Sequence, residues 1–282
     1  MAATKRKRKV NSETVLHGTV MNYNASLQQR YKKALRQLVD QMVDETQKEI
    51  ARLFDTKKVE KQFAQDASVA SMVKKALSKL IKKFTGLFAS KANDMAKAMV
   101  EGTEKTSNTG VKSSLKKLSG NVTLKTGVVS EGYETIAKAI VDTNVSYIKM
   151  IAPKYFDQIS GAVYRSITSN EPNNLTEEIY KYGRHTKEAA NLLALDQTRK
   201  AYNAINARKL QDIGVSKFVW RHSSAGQKPR PSHVRISGET FSFANLQAEQ
   251  AALNVPEADR GLPGFPVNCR CRIQAVINFE EL

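Results

Sequence analysis

Apolar residues recur at helical spacing over most of the chain before Gly214, which predicts a mainly helical structure. One apolar stripe starts after Ser26, which forms a capping-box signature with Gln29, and a second stripe covers residues 59–88. The first stripe contains Leu27, Tyr31, Leu35, Leu38, Met42, Ile50 and Leu53, and the second contains Val59, Phe63, Val73, Leu77, Leu80, Phe84 and Phe88. The pattern therefore predicts two amphipathic helical stretches near the N-terminus.

Residues 102–130 interrupt this pattern. Gly102, Gly110, Gly120 and Gly127 lie among Ser, Thr, Asn and Lys, a composition typical of loops. We predict a long loop or linker at about 102–130. Because such loops are uncommon inside a compact domain, we expect this segment to be mobile or to receive contacts from a partner.

Helical spacing resumes after the linker. Pro153 suits the first turn of a helix, so we expect one helix to end there and another to begin. After a turn at 170–174, the pattern predicts a short helix over Leu175–Tyr182 and a longer one over about Thr186–Ile213. Gly214 is placed to terminate the longer helix.

The period changes from helix to strand after Gly214. Val215–His222 and Thr240–Phe243 are predicted strands, with a turn at Ser237 and Gly238 between them. The last segment alternates most clearly, and the residues on its predicted buried face are Cys269, Cys271, Ile273, Ala275 and Ile277. The predicted fold class is α+β, with a long, mainly helical N-terminal region followed by a small helix-plus-β C-terminal module. We divide the chain into a basic flexible arm (1–25), a helical region with the linker (26–184) and the module (185–282).

The charge of the chain is strongly basic. The formal net charge is +18, and Lys and Arg exceed Asp and Glu by 12 within residues 1–100. Such a charge attracts polyanions, so nucleic acid is the first partner to consider and an anionic membrane surface the second. No segment approaches the ~20 apolar residues that a membrane span needs.

Two basic groups are candidates for contact with DNA phosphates, and both can equally be read as solvated surface. They are Lys5, Arg6, Lys7, Arg8 and Lys9 in the arm, and Lys74, Lys75, Lys79, Lys82 and Lys83 on one face of the second helical stretch. A lysine face without aromatic residues binds by charge and reads no sequence.

Four residues of zinc-ligand type lie in the C-terminal module, namely His222, His233, Cys269 and Cys271. Three interpretations stay open for them. They can form a zinc site, they can be two small buried cysteines with hydrogen-bonded histidines, or either cysteine can pair with His233 as a nucleophile. A disulfide within Cys-x-Cys on one extended strand is excluded by geometry.

The order of motifs in the module resembles a known family. The residues that carry the resemblance are Trp220, Arg230, Pro231, His233, Gly238, Asn268, Cys269, Arg270 and Cys271. Over about residues 185–277, the sequence is similar to the phage Mu F-like minor head proteins, also called the phage head morphogenesis family. Members often carry an acidic residue between the tryptophan and the Arg-Pro step, whereas residues 223–228 contain none.

The resemblance implies a minor head protein of a tailed phage or prophage that is not an enzyme. Its expected place is the capsid interior near the portal, and the host cytoplasm during assembly and after ejection. Its expected partners are the portal protein and double-stranded DNA, with scaffolding or major capsid protein as further candidates. Some relatives fuse the module to toxin domains, and because the sequence ends shortly after Ile277 we expect none here. The rival hypotheses are an effector or enzyme that uses the Cys/His residues, and a host nucleic-acid-binding protein.

Overall fold

A computed structural model describes residues 15–54, 67–118, 131–168, 175–224 and 228–278. The elements in chain order are β1 (Val15–Val20), α1 (Ala25–Phe54), α2 (Ala67–Leu118), α3 (Glu131–Thr168), α4 (Leu175–Asp212), β2 (Lys217–Arg221), α5 (Pro231–Arg235), β3 (Thr240–Ser242), α6 (Leu246–Ala252) and β4 (Arg272–Asn278), with a 3-10 turn at Glu257–Asp259. The predicted α+β fold class is confirmed: long helices are followed by a small module of strands and short helices.

Helices α1 to α4 enclose an apolar core built from the predicted stripes. Leu35, Phe84, Phe88 and Ile159 are completely buried in it. Val59 and Phe63, which belong to the second predicted stripe, lie outside the described residues. The predicted capping box at Ser26 is wrong: α1 begins at Ala25, and the side chain of Asn24 accepts the backbone N–H of Leu27 at 3.0 Å.

Helix α2 continues to Leu118, so the linker prediction is wrong for residues 102–118. The small residues there allow close packing. A Cβ at Gly102 would lie 2.5 Å from the Leu27 side chain, and one at Gly110 would lie 2.7 Å from the hydroxyl of Tyr202. Buried hydroxyls on the same helix also find partners, as when Ser107 donates to the side-chain oxygen of Asn206 at 2.7 Å. The remainder of the predicted linker, 119–130, lies outside the described residues.

Two predicted helix breaks are also wrong. Helix α3 runs through Pro153, which costs one backbone hydrogen bond. The nearby Ala152 and Tyr155 are buried in the core, and their burial helps to offset this cost. Helix α4 runs through Gly183, where a Cβ would lie 2.6 Å from the Val43 side chain. This glycine therefore brings α4 close to α1 and does not form a turn.

The four strands form one antiparallel sheet with the order β1-β4-β2-β3. β1 comes from the segment predicted as a flexible arm, and that prediction is wrong for residues 15–25. Leu16 pairs with Ile277 and Val20 with Gln274, so the N-terminal strand completes the C-terminal sheet. The basic cluster of residues 5–9 lies outside the described residues.

A second apolar core lies under the sheet and is shared with the long helices. It includes Val111 and Leu115 of α2, Leu210 of α4, and Phe218 and Trp220 of β2. The five residues of the predicted buried face are between 0% and 7% exposed, as predicted. The strand β4 begins only at Arg272, however, so both cysteines precede it, and Gln274 and Val276 of the opposite face are buried as well. Gly214 ends α4 as predicted, with φ +86° and its N–H bonded to the Gln211 carbonyl. The boundary at 185 stays a prediction, and α4 runs across it.

Candidate functional site

His233 lies on the short helix α5, which begins at Pro231 after the extended residue Arg230. Its ring is 2% exposed and meets the indole of Trp220 edge-to-face, with ring centroids 4.9 Å apart. Nε2 lies 2.9 Å from the backbone carbonyl oxygen of Asp259. A carbonyl only accepts, so Nε2 carries a proton, and in the neutral imidazole Nδ1 therefore presents its lone pair.

Both cysteines face that Nδ1 atom. The two sulfur atoms lie 3.5 Å (Cys269) and 3.7 Å (Cys271) from it. The loop before β4 places them there by turning at Gly264 (φ +85°) and Asn268 (φ +62°). The backbone N–H of Asn268 donates to a carboxylate oxygen of Asp196 on α4 at 3.0 Å, which fixes the second turn.

The Cys269 sulfur is surrounded by donors. The backbone N–H groups of Gly264 and Cys271 point to it at 3.3 Å and 3.5 Å. Its hydrogen bond with Cys271, helped by His233, lowers the pKa of Cys269 against the effect of burial. The same bond, together with burial, raises the pKa of Cys271. Burial lowers the pKa of His233, but its hydrogen bonds to Cys269 and to the Asp259 carbonyl outweigh burial and raise it.

Asp259 is a residue that sequence reasoning missed. Its carboxylate accepts from the Arg230 guanidinium at 2.8 Å and from the Ser232 hydroxyl at 2.7 Å, while its carbonyl holds His233. Residues 223–228 contain no acidic residue, and the carboxylate that meets Arg230 lies on the 3-10 turn. The contact between Asp259 and Arg230 cannot be predicted from their spacing in the sequence, because the loops between them bring the two residues together.

Tyr23 and Asn203 tie the cysteine loop to the rest of the fold, and sequence reasoning did not single out Tyr23. The Tyr23 hydroxyl donates to the carbonyl of Cys271. The Asn203 amide on α4 donates to the carbonyl of Pro263 at 2.5 Å and to the Tyr23 oxygen at 2.9 Å. A Cβ at Gly264 would lie 2.6 Å from this amide, so the close approach requires glycine.

The other motif residues brace the same region. Gly238, with φ +103°, donates its N–H to the Trp220 carbonyl at 2.9 Å and closes the turn between β2 and β3. Arg230 also donates to the Val267 carbonyl at 2.8 Å. Arg270 is exposed next to the cysteines.

The structure brings together three of the four predicted metal ligands. One ligand atom each from His233, Cys269 and Cys271 lies within 4.8 Å of the others. His222 lies outside that group, and its Nδ1 accepts the backbone N–H of Ser224 at 3.2 Å. It lines, with the other three, a small cavity of about 40 Å³.

The five predicted lysines of α2 are all exposed. Lys83 is partly neutralised by Glu45 of α1 at 2.5 Å, and Lys79 lies close enough to Glu49 to help lower the pKa of that carboxyl, after Arg52. Lys74, Lys75 and Lys82 make no ion pair with the part of the chain that the structure describes. Of the helices in that part, none combines the length and apolar character needed to cross a bilayer.

A helical bundle that carries a small sheet with a Cys/His cluster defines the class: an α+β module joined to long helices. The family model described as Phage Mu protein F like protein matches residues 131–274, just over half of the chain. The chain therefore belongs to the Phage Mu protein F like family. The match starts 54 residues before the boundary predicted at 185, so it also includes α3.

Membership of this family supports the resemblance to phage head morphogenesis proteins, a typically structural group. A similar curated protein is an uncharacterized protein from Haemophilus influenzae, 25% identical over 267 residues that cover 89% of this chain. The chain spans about half (54%) of the length of that relative. No solved structure matches the chain significantly.

Proposed function

We propose that the chain is a minor head protein of a tailed phage or prophage, positioned inside the capsid near the portal vertex. There it binds packaged double-stranded DNA without sequence preference and aids head assembly and genome delivery. Its partners are the portal protein and DNA, with scaffolding or major capsid protein as further candidates. It acts without catalysis, in the host cytoplasm during assembly, in the virion and again in the host after ejection.

The observation that carries the DNA proposal is the exposed lysine face of α2 on a chain with a net charge of +18. Lys74 to Lys83 cover about 14 Å of helix axis at 1.5 Å per residue. Duplex DNA carries about eight phosphate charges over that length. Lysine contacts of this kind neutralise phosphates and release counterions, but they carry no sequence information.

The alternative, an enzyme or effector delivered with the genome, would use the Cys/His cluster. The three side chains are 2–3% exposed, and the adjoining cavity of about 40 Å³ has room for little more than a water molecule. A substrate of ordinary size needs several hundred Å³. This supports a scaffold role for the cluster over a catalytic one.

The DNA proposal is tested by neutralising Lys74, Lys75 and Lys82 together as K74Q/K75Q/K82Q. We expect the slope of log affinity for duplex DNA against log salt concentration to fall by about 2–3, because each phosphate that the protein no longer neutralises lowers it by roughly 0.9. The matched control is K138Q/K149Q/K154Q, which removes the same charge from exposed positions on α3. We expect the control to change the slope by less than about 1.

Binding that does not change with salt contradicts the proposal, and equal effects of the two triple variants contradict the assignment to α2. The portal partner is tested separately by co-expression with the portal protein of the same phage and size-exclusion chromatography. Elution apart from the portal under all conditions contradicts that part of the proposal.

A further inference from the structure

We propose that His233, Cys269 and Cys271 form a binding site for one thiophilic divalent cation, best matched by Zn²⁺, with Nδ1 and the two Sγ atoms as ligands. The inference goes beyond the proposed head function and is independent of DNA binding. The ion would join α5 to the loop that precedes β4.

The distances fit a tetrahedral ion. Bond lengths of about 2.3 Å for Zn–S and 2.0–2.1 Å for Zn–N place sulfur and nitrogen ligands about 3.5–3.6 Å apart at the tetrahedral angle. The observed separations from His233 Nδ1 are 3.5 Å to the Cys269 sulfur and 3.7 Å to the Cys271 sulfur. The two nitrogen–sulfur separations therefore already lie at the spacing that coordination requires, and all three ligand atoms lie within 4.8 Å of one another.

The groups around the cluster favour the forms of the ligand atoms that can bind a cation. Metal-binding histidines donate their other ring N–H to a carbonyl or carboxylate, as His233 does to the Asp259 carbonyl at 2.9 Å. Backbone N–H groups of Gly264 and Cys271 point to the Cys269 sulfur and stabilise negative charge on it. The indole N–H of Trp220 is buried, and the indole ring meets the His233 imidazole edge-to-face with ring centroids 4.9 Å apart.

The three ligand residues also line the small cavity of about 40 Å³, which offers space for a fourth ligand. A cavity of this size can hold a water ligand. His222 lines the cavity but lies outside the group of converging ligand atoms. We therefore assign three protein ligands and a fourth position open to water.

The first test uses the full-length wild-type protein, kept reduced, stripped with a chelator and dialysed against Zn²⁺ or Co²⁺. We expect about one equivalent of metal per chain and an increase in thermal stability on metal addition. Bound Co²⁺ should show thiolate-to-cobalt charge transfer and the intense visible bands of a tetrahedral site. A folded protein that binds no stoichiometric metal overturns the proposal, whatever the variants do.

The second test assigns the ligands. C269S, C271S and H233A should each lose stoichiometric binding, and the Co²⁺ that each serine variant still binds should show weaker thiolate charge transfer. H185A, which removes an exposed histidine on α4, is the matched control and should keep full binding. H222A should keep one equivalent as well. Unchanged binding in the C269S/C271S double variant, or loss of binding in H222A, overturns the three-ligand assignment.

Discussion

The helical bundle and the C-terminal module are stabilised in different ways. The bundle is held by a continuous apolar core in which Leu35, Phe84 and Phe88 are completely buried, and ion pairs such as Arg36–Asp40 and Lys83–Glu45 lie at its surface. In the module, short loops are held by side chains with individual partners. Asp259 holds three groups of the Arg230–His233 segment, and the Gln250 amide exchanges hydrogen bonds with the backbone of Gly261 at 2.8 Å and 3.1 Å.

This difference explains where the recognisable residues lie. An apolar core accepts many combinations of residues of suitable size and pattern, so the bundle carries few identifying positions. A loop held by one carboxylate or one ring nitrogen depends on that residue type, because a buried partner left unpaired is costly. The motifs of the family therefore concentrate in the module, although both regions share α2 and α4.

The largest expected effect tests whether the two regions unfold together. Phe84→Ala removes a completely buried ring, stacked on Phe156 with centroids 6.2 Å apart, and should lower the free energy of unfolding by about 3–5 kcal/mol. Circular dichroism reports on the helices, and the single tryptophan, Trp220, reports on the module by fluorescence. Because α2 and α4 belong to both cores, we expect both signals to shift equally in urea unfolding.

The matched control for that experiment is Met72→Ala on α2, where the side chain is 49% exposed. Its effect should stay within about 0.5 kcal/mol. A shift in circular dichroism without a shift in tryptophan fluorescence would show that the regions are independent domains. That outcome would contradict the coupling through α2 and α4.

A smaller effect is expected from the loop network of the module. Asp259→Ala leaves the guanidinium of Arg230 and the hydroxyl of Ser232 without their carboxylate and should cost about 1–3 kcal/mol. Unfolding followed by Trp220 fluorescence measures this decrease in the free energy of unfolding. Glu257→Ala, two residues away and exposed, is the control and should change stability by less than about 0.5 kcal/mol. Equal effects of the two substitutions would mean that Asp259 does not brace the module.

The helices of the bundle were predictable from sequence where their buried faces are apolar. They were not predictable where a buried face consists of small and polar residues. The stripes through Leu35 and Phe84 mark buried helix faces directly. The segment with Gly102, Ser107 and Gly110 has loop-like composition, yet it is helical because small residues let neighbouring chains approach. Propensity rules describe an isolated helix, whereas this face is decided by Leu27 and Tyr202, which are distant in sequence.

The sequence displays the residue types that form the cluster, namely His233 and the two cysteines. It does not show which other residues hold them in place. A strand period predicts that Cys269 and Cys271 share one buried face, and both are buried, although they lie in the loop before β4. Tyr23 and Asp259 reach the site from remote segments through hydrogen bonds. Such contacts depend on the sheet order that brings β1 beside β4, and no local pattern indicates that order.

The smallest expected effect concerns the surface charges of the bundle. Glu45→Gln removes the partner of Lys83, and because both side chains are partly exposed the free energy of unfolding should change by less than about 1 kcal/mol. Glu45→Gln, which releases Lys83, should nevertheless strengthen salt-dependent DNA binding more than Asp94→Asn does. Asp94→Asn makes the same charge change at an exposed position on α2 that is remote from Lys83 in sequence. Affinity for duplex DNA at low salt, measured by fluorescence anisotropy, compares the two variants. A large loss of stability in Glu45→Gln, with no gain in affinity over Asp94→Asn, would mean that this pair serves the fold and that Lys83 is not part of the DNA-binding face.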